Sequence, residues 1–205
     1  MIVAGTAQRV LVVGAETLTR IADPTDRSAA VLFGDGAGAV VLGATGTTGA
    51  TIGPFDLGAD GTLAPILGIH AGGSRRPSTT ETVAAREHFI HMNGQEVYRH
   101  AVTRMVASSR RVLADAQVDA DEVDLLVGHQ ANGRILDAVA TRLGIPADRC
   151  VVTVDRHGNT SSASIPLALA DARERGALRP GALVLLTAFG AGLTWGSCLV
   201  RWGRS

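Results

Sequence analysis

The chain reads Val-Asp-Leu-Leu-Val-Gly-His-Gln-Ala-Asn from Val123 to Asn132 and Cys-Val-Val-Thr-Val-Asp-Arg-His-Gly-Asn from Cys150 to Asn159. Each stretch begins with an apolar run typical of a buried strand. Each continues to a polar side chain that can donate a hydrogen bond without carrying charge. Ligands of open α/β sheets bind outside the carboxyl ends of the strands. We therefore expect His129 and Asn159 to stand at such an edge.

The elements around these stretches predict an α/β layer. Apolar periodicity and Gly or Pro stops predict three helices and two further strands, which span Gly94–Gln117, Asn132–Leu143, Ser161–Arg175, Leu183–Phe189 and Ser197–Trp202. From residue 123 the order is strand, helix, strand, helix, strand, turn, strand. This order predicts a mainly parallel sheet with an antiparallel final strand and flanking helices.

The first 43 residues predict strands and turns. Met1–Gln8 resembles the tail of a helix, and Val10–Gly14 is an apolar run typical of a strand buried on both faces. The glycines of Gly34–Gly38 fail the dinucleotide pattern G-x-G-x-x-G, because Val41 occupies the third glycine position and β-like residues follow. Two strands joined by a tight glycine bend are the better interpretation.

The segment from residue 44 to 90 is weakly patterned. Thr51–Leu57 is a candidate strand, and Asp60–Thr80 is predicted to be a long loop. His88, His91 and His100 have no acidic or thiol ligand at fixed spacing, so surface or cap positions are favoured over a zinc site, and we expect no metal.

Composition excludes several classes of function. The chain has 205 residues with 46% hydrophobic content, enough for a core of one domain or two small lobes. The formal net charge is zero, and no apolar run is long enough to cross a membrane, so neither nucleic acid nor membrane is an expected partner. The two cysteines cannot form a disulfide framework, and the start of the chain has no signal peptide, so a cytoplasmic location is expected.

His129 and Asn159 each have a plain structural interpretation. A histidine after a buried strand is often a satisfied structural residue, and Asn in a Gly-Asn pair often forms a turn or a helix cap. Together, a neutral imidazole and a carboxamide can both donate to one oxygen whose charge develops during a reaction, such as an enolate. No G-x-S-x-G motif is present, which argues against a serine hydrolase of the common type.

Four motifs carry a resemblance to a known family. They are Gly34–Gly38, His129–Asn132, Asp155–Pro166 and Ala188–Gly196, in that order along the chain. This set resembles β-ketoacyl-acyl-carrier-protein synthase III of the thiolase superfamily. The resemblance implies a thiolase-like layered α/β fold, with residues 46–205 as its C-terminal half and residues 1–45 as the last strands of its N-terminal half.

The resemblance also implies a reaction. An acyl group from acyl-coenzyme A is taken up by a cysteine, and malonyl-acyl-carrier protein then loses carbon dioxide to give the enolate that attacks it. No cofactor is implied, since coenzyme A enters as part of a substrate. The resemblance implies roles for nine residues: His129 and Asn159 at the malonyl thioester oxygen, the Ala191 backbone N–H at the acyl oxyanion, Arg27, Asn132 and Phe189 at coenzyme A or its pantetheine arm, and Gln130, Arg134 and Arg99 in docking of the carrier protein.

The nucleophile is the departure from the family pattern. The family's cysteine lies at a helix N-terminus in the N-terminal half, where the helix dipole lowers its pKa. Neither Cys150 nor Cys198 is placed to match it, so we expect the chain to need a complementary cysteine-bearing half and to be inactive alone. A homodimer is the alternative assembly. Open alternatives are a non-catalytic homologue that binds a synthase partner or the carrier protein, and a relative that starts polyketide chains or forms esters.

Overall fold

The computed structural model describes residues 1–44 and 50–203. The strands in these ranges are β1 (Arg9–Thr17), β2 (Asp35–Gly43), β3 (Thr51–Ala59), β4 (Leu67–Ile69), β5 (Ile90–Met92), β6 (Leu125–Gly128), β7 (Leu183–Gly190) and β8 (Thr194–Arg201). The α-helices are α1 (Arg27–Ala30), α2 (Thr80–Ala84), α3 (Gly94–Ala116), α4 (Gly133–Leu143), α5 (Val154–His157) and α6 (Ser164–Glu174). The predicted boundary between residues 45 and 46 lies outside the described residues.

The main sheet has four strands in the order β3-β8-β7-β6. β6 and β7 are parallel, whereas β7–β8 and β3–β8 are antiparallel. The prediction of a mainly parallel sheet is therefore wrong, and the sheet is mixed. The antiparallel final strand, β8, is as predicted. The difference has two other causes: β3 pairs antiparallel with the far side of β8, and the strand predicted after Cys150 does not form.

The strand predicted after Cys150 does not form. Cys150 makes one parallel bridge to Leu126, and the next backbone N–H, of Val151, donates to the Leu126 carbonyl at 2.9 Å. Beyond that point the chain leaves the sheet and turns into α5. Asn159 therefore follows a short helix, and only His129 directly follows a strand.

Helices cover both faces of the main sheet. On one face α3 and α4 bury the apolar stripes that the sequence predicts, and their core members include Val97, Ala101, Met105, Val112, Ile135, Val139 and Leu143. Leu136 of α4 is buried as well. On the other face α6 packs Ala168, Leu169 and Ala172 against β6 and β7. The third predicted helix begins later than expected, because residues 161–163 form a 3₁₀ turn. No helix within residues 1–44 and 50–203 combines the length and the apolar character needed to cross a membrane.

β1 and β2 form a separate antiparallel hairpin that packs on α6 and on the segment before it. Gly14 and Gly38 lie opposite each other in the hairpin. A Cβ atom at Gly14 would lie 2.4 Å from the carbonyl oxygen of Ser162, and one at Gly38 would lie 2.6 Å from Cβ of Pro166. The glycines let the backbone of the 157–167 segment approach the strands closely. Because β2 begins at Asp35 and continues through Gly38, the predicted tight bend at Gly34–Gly38 is wrong.

The opposite face of the hairpin is open. Its side chains are the cross-strand pairs Leu11–Val41, Val13–Ala39 and Ala15–Ala37, which we call the outer hairpin face. The exposed fractions of Leu11, Val13 and Val41 are 63%, 58% and 66%. The prediction that residues 10–14 are buried on both faces is therefore wrong for this structure. A contiguous apolar sheet surface of this kind is typical of a protein interface.

The predicted loop Asp60–Thr80 contains a 3₁₀ helix and a short strand. Gly61–Ile66 forms a 3₁₀ helix capped by Asp60, and β4 and β5 pair in antiparallel register. At the other end, Met1 to Thr6 has the hydrogen bonds with which helices end, Thr6 N–H to Met1 O and Gly5 N–H to Ile2 O, with Gly5 at φ +70°. This pattern agrees with the predicted tail of a helix.

Candidate active site

His129 stands where β6 leaves the sheet. Its backbone N–H donates to the Thr187 carbonyl of β7 at 2.8 Å, and its side chain is half-buried. Loss of hydration on burial lowers the pKa of the imidazole from 6.5 to about 4. The ring is therefore neutral at physiological pH, with one nitrogen that donates and one that accepts.

The lowered pKa of His129 predicts a pH dependence of stability. Between pH 6.5 and 4 the unfolded chain binds a proton that the folded chain refuses, so stability falls as the pH falls. We expect the free energy of unfolding to drop from pH 7 to pH 4.5 by about 2 kcal/mol more in the wild type than in His129→Asn. Urea denaturation at the two pH values measures this difference. Equal losses in the two proteins would contradict the lowered pKa of the His129 imidazole.

Asn159 is held by both its backbone and its side chain. Its N–H donates to the Leu32 carbonyl at 2.7 Å, and its own carbonyl accepts from the Gly34 N–H at 2.9 Å. Its side-chain Oδ1 accepts from the Ser161 N–H at 3.0 Å, and Ser161 adopts a left-handed φ of +47°. Within residues 1–44 and 50–203 no hydrogen bond engages Nδ2. The amide is thus oriented with its donor group available.

Gln130 ties the two stretches together. Its Nε2 donates to the carbonyls of Gly128 at 2.9 Å and Val151 at 3.0 Å. Its Oε1 accepts from the N–H groups of Thr153 at 2.8 Å and Val154 at 3.1 Å. Gln130 is 1% exposed. The predicted role of Gln130 in carrier-protein docking is therefore wrong, since a buried amide with all four hydrogen-bonding positions occupied cannot reach a partner's surface.

Ala191 lies in the turn directly after β7. Because β6 and β7 are parallel, the ends that carry His129 and Ala191 meet at the same edge of the sheet. The Ala191 carbonyl accepts from Thr194 Oγ1 at 3.1 Å, and its N–H has no partner in the described part of the chain. Phe189, at the end of β7, is 7% exposed and belongs to the core beneath this edge.

The remaining predicted residues lie at helix starts or on helix surfaces. Asn132 is the N-cap of α4, where its Oδ1 accepts from the Arg134 N–H at 2.9 Å. Arg134 and Arg99 are exposed, at the starts of α4 and α3. Arg27 is exposed as the first residue of α1, which Asp26 caps. Only Asn132 and Arg134 are joined by a hydrogen bond, and the roles of all four in binding stay predictions.

Both cysteines are free and half-buried, and the pKa of each thiol is raised. Burial and the charge of Asp137 raise the pKa of the Cys150 thiol to about 11, and burial raises that of Cys198 to about 11. At neutral pH only about one thiol in ten thousand would be ionised. Of the histidines considered for a metal, His91 instead contacts the His70 ring, and no cluster of metal ligands occurs among the described residues.

Sequence reasoning missed two structural features of the site. One is the buried Gln130. The sequence carried a signal for it, because an amide that closely follows a fully apolar strand is close to the core and needs hydrogen-bond partners within the protein. The other is the set of hairpin glycines at positions 14, 34, 36 and 38, which admit the segment carrying Asn159. The alternate spacing of Gly34, Gly36 and Gly38, which places all three on one face of an extended chain leading into β2, was the available signal.

Comparison with known proteins identifies a family for the chain. The family model for 3-oxoacyl-[acyl-carrier-protein] synthase III matches residues 1–61, and the model for the C terminal of that enzyme matches residues 113–202. A curated β-ketoacyl-[acyl-carrier-protein] synthase III of Natranaerobius thermophilus is 46% identical over 199 residues, which cover 96% of this chain and 60% of the relative.

Solved structures show the same fold. The β-ketoacyl-[acyl carrier protein] synthase III of Thermus thermophilus is 44% identical, has a TM-score of 0.89, and is matched over 100% of this chain and 62% of its own. The priming β-ketosynthase from the R1128 polyketide biosynthetic pathway is 36% identical with a TM-score of 0.84, over 100% of this chain and 60% of its own. The predicted thiolase-like α/β fold is confirmed. The chain spans about three fifths of the length of these relatives, and it belongs to the 3-oxoacyl-[acyl-carrier-protein] synthase III family.

Proposed function

We propose that the chain provides the decarboxylation site of a β-ketoacyl-[acyl-carrier-protein] synthase III. The observation that carries this proposal is the pair of uncharged donors: an imidazole kept neutral by burial and an amide whose Oδ1 is fixed so that Nδ2 is free. Such donors stabilise negative charge as it develops in the transition state. Because they are uncharged, the folded protein does not have to bury an ion before the reaction begins.

The chemistry needs donors and no general base. When the malonyl thioester loses its carboxylate, the C–C bond breaks, carbon dioxide leaves, and the electron pair passes to the thioester oxygen as an enolate. His129 and Asn159 donate to that oxygen. The enolate carbon then attacks an acyl thioester, whose oxygen becomes negative beside the Ala191 N–H, and the thiolate leaves as the carbonyl re-forms.

The substrates follow from the family. Acyl-coenzyme A is the proposed acyl donor, with Arg27, Asn132 and Phe189 at the nucleotide and pantetheine arm. Malonyl-carrier protein is the proposed second substrate, and Arg99 and Arg134 would meet its acidic surface. Both arginines are exposed and therefore accessible to a partner.

The acyl-bearing cysteine is proposed to come from a complementary half. The raised pKa values of Cys150 and Cys198 argue against either as the acyl carrier. The exposed apolar side chains of the outer hairpin face are an argument for a bound partner. A second exposed apolar area on β3, where Phe55 and Leu57 are 58% and 79% exposed, is another. In the alternative assembly, a homodimer, the hairpin of a second copy of the chain would cover the outer hairpin face.

An acylation experiment tests this division of labour. We expect the 205-residue chain incubated with acyl-coenzyme A to keep its unmodified mass, and malonyl thioester to be decarboxylated without condensation. Adding the cysteine-bearing segment of a close relative is expected to give acyl-enzyme and β-ketoacyl product. Intact mass spectrometry and chromatography of the thioesters measure both. Acylation of Cys150 or Cys198 in the chain alone would contradict the proposal.

A non-catalytic homologue is the second candidate. The thiols with raised pKa favour it, because a chain that only binds a partner or the carrier protein needs no nucleophile. The two candidates differ in the decarboxylation assay, where the non-catalytic homologue gives no carbon dioxide above background. One of the similar structures is a priming β-ketosynthase from a polyketide pathway. A synthase that starts polyketide chains is therefore a variant of the first candidate.

A further inference from the structure

We infer that Gln130 is a positioning residue that fixes Asn159 relative to His129. The inference rests on the proposed function only for its kinetic consequence. Its structural content is independent: one buried side chain holds the end of β6 and the start of α5 in register.

The first step concerns the sheet. The 150–153 segment meets β6 at a single bridge, Leu126 to Cys150, and is then free of the backbone ladder. The side chain of Gln130 takes over at this point, since its Nε2 reaches the carbonyl of β6's last residue, Gly128, and the carbonyl of Val151. One amide thus replaces the next pair of ladder hydrogen bonds.

The second step concerns α5. Its N-cap, Thr153, makes no side-chain capping bond. The N–H groups of Thr153 and Val154 donate instead to Oε1 of Gln130. The start of the four-residue helix that leads to Asn159 is therefore capped by the residue next to His129.

The third step concerns what else fixes this start. The backbone of Asn159 is held by the segment just before β2, through Leu32 and Gly34, and that anchor does not involve β6. Gln130 is the link between the His129 end of β6 and the helix start. Removing its amide would leave four backbone groups of this junction without partners, and each must move to find water.

Three variants separate positioning from general stability. Gln130→Met keeps the length of the side chain without its hydrogen bonds. Gln130→Glu keeps the acceptor for Thr153 and Val154 but sets an oxygen against two carbonyls. Val139→Ala is the matched control, a fully buried core position on α4 whose apolar side chain makes no hydrogen bond to the junction.

Two readouts are used on the intact chain. The first is the side-chain amide resonance of Asn159, assigned by its loss in Asn159→Asp, together with the imidazole resonances of His129. Both are expected to move in Gln130→Met and to stay in place in Val139→Ala. The second is malonyl thioester decarboxylation, where kcat should fall about 10- to 100-fold in Gln130→Met with KM within about two-fold.

The outcomes are distinct. Resonances of Asn159 and His129 that stay in place in both Gln130 variants overturn the inference, whatever the activity. If Gln130→Met does not fold, Gln130→Glu decides in the same way. If the proposed function is wrong, His129→Ala and Asn159→Asp will decarboxylate malonyl thioester at the wild-type rate. The resonance test of Gln130 does not depend on that result.

Discussion

Asn159→Asp is expected to lower the rate of malonyl thioester decarboxylation by at least about 100-fold, the cost of removing one donor to a developing oxyanion. The substitution keeps the oxygen that accepts from the Ser161 N–H, so the local turn persists. It replaces the free NH₂ group with a carboxylate oxygen, which repels the enolate. The change therefore tests donation by Nδ2 with little change of shape.

His129→Ala is expected to give a loss of the same order, because the second donor disappears. The double variant should lose less than the product of the two single losses, since both groups serve one oxygen. His157→Ala is the matched control: this histidine is exposed on α5, two residues before Asn159, and lies outside the proposed machinery. Release of carbon dioxide from the malonyl thioester is the measurement. Full activity in Asn159→Asp would contradict the proposal that Asn159 stabilises the enolate.

Gly34→Ala is expected to destabilise the chain by about 2 kcal/mol or more, in the range of overpacking in a tight core. An added Cβ would lie 2.0 Å from the His157 carbonyl oxygen and 3.1 Å from its carbonyl carbon. Backbone atoms cannot rotate away as a side chain does. The hairpin and the end of α5 must separate, and the hydrogen bond from the Gly34 N–H to Asn159 must lengthen or break.

Gly43→Ala provides the control at the far end of β2, where an added Cβ meets nothing within 4 Å. Its stability is expected to stay within about 0.5 kcal/mol of the wild type. Urea denaturation compares the two variants, and the amide resonance of Asn159 reports whether the site moves. Equal stabilities for Gly34→Ala and Gly43→Ala would mean that close approach at the hairpin is not a constraint.

Local patterns predicted the parts of the fold whose cause is local. The stripe of Val97, Ala101 and Met105 placed α3, and the position of His129 after an apolar run placed it at the edge of the sheet. Such residues report their own surroundings, because burial or exposure follows from periodicity within a few positions.

The failures have distant causes. Cys150–Asp155 has the composition of a strand, yet the side chain of Gln130, some twenty residues earlier, takes up the backbone groups through which the segment would pair with β6. Gly34 and Gly38 look like turn residues, but backbone from residues 157–167 requires their lack of a side chain. Periodicity also cannot tell which neighbours are present, and so Leu11 and Val13 were expected to be buried on both faces of their strand.

The outer hairpin face has a consequence for the life of the chain in a cell. A broad apolar strand surface is what chaperones retain and what quality-control proteases select. Copies that find no cover would be captured or degraded, while covered copies would persist. The steady-state amount of this polypeptide should then follow the supply of whatever molecule shields Leu11, Val13 and Val41, whatever the rate of its own translation.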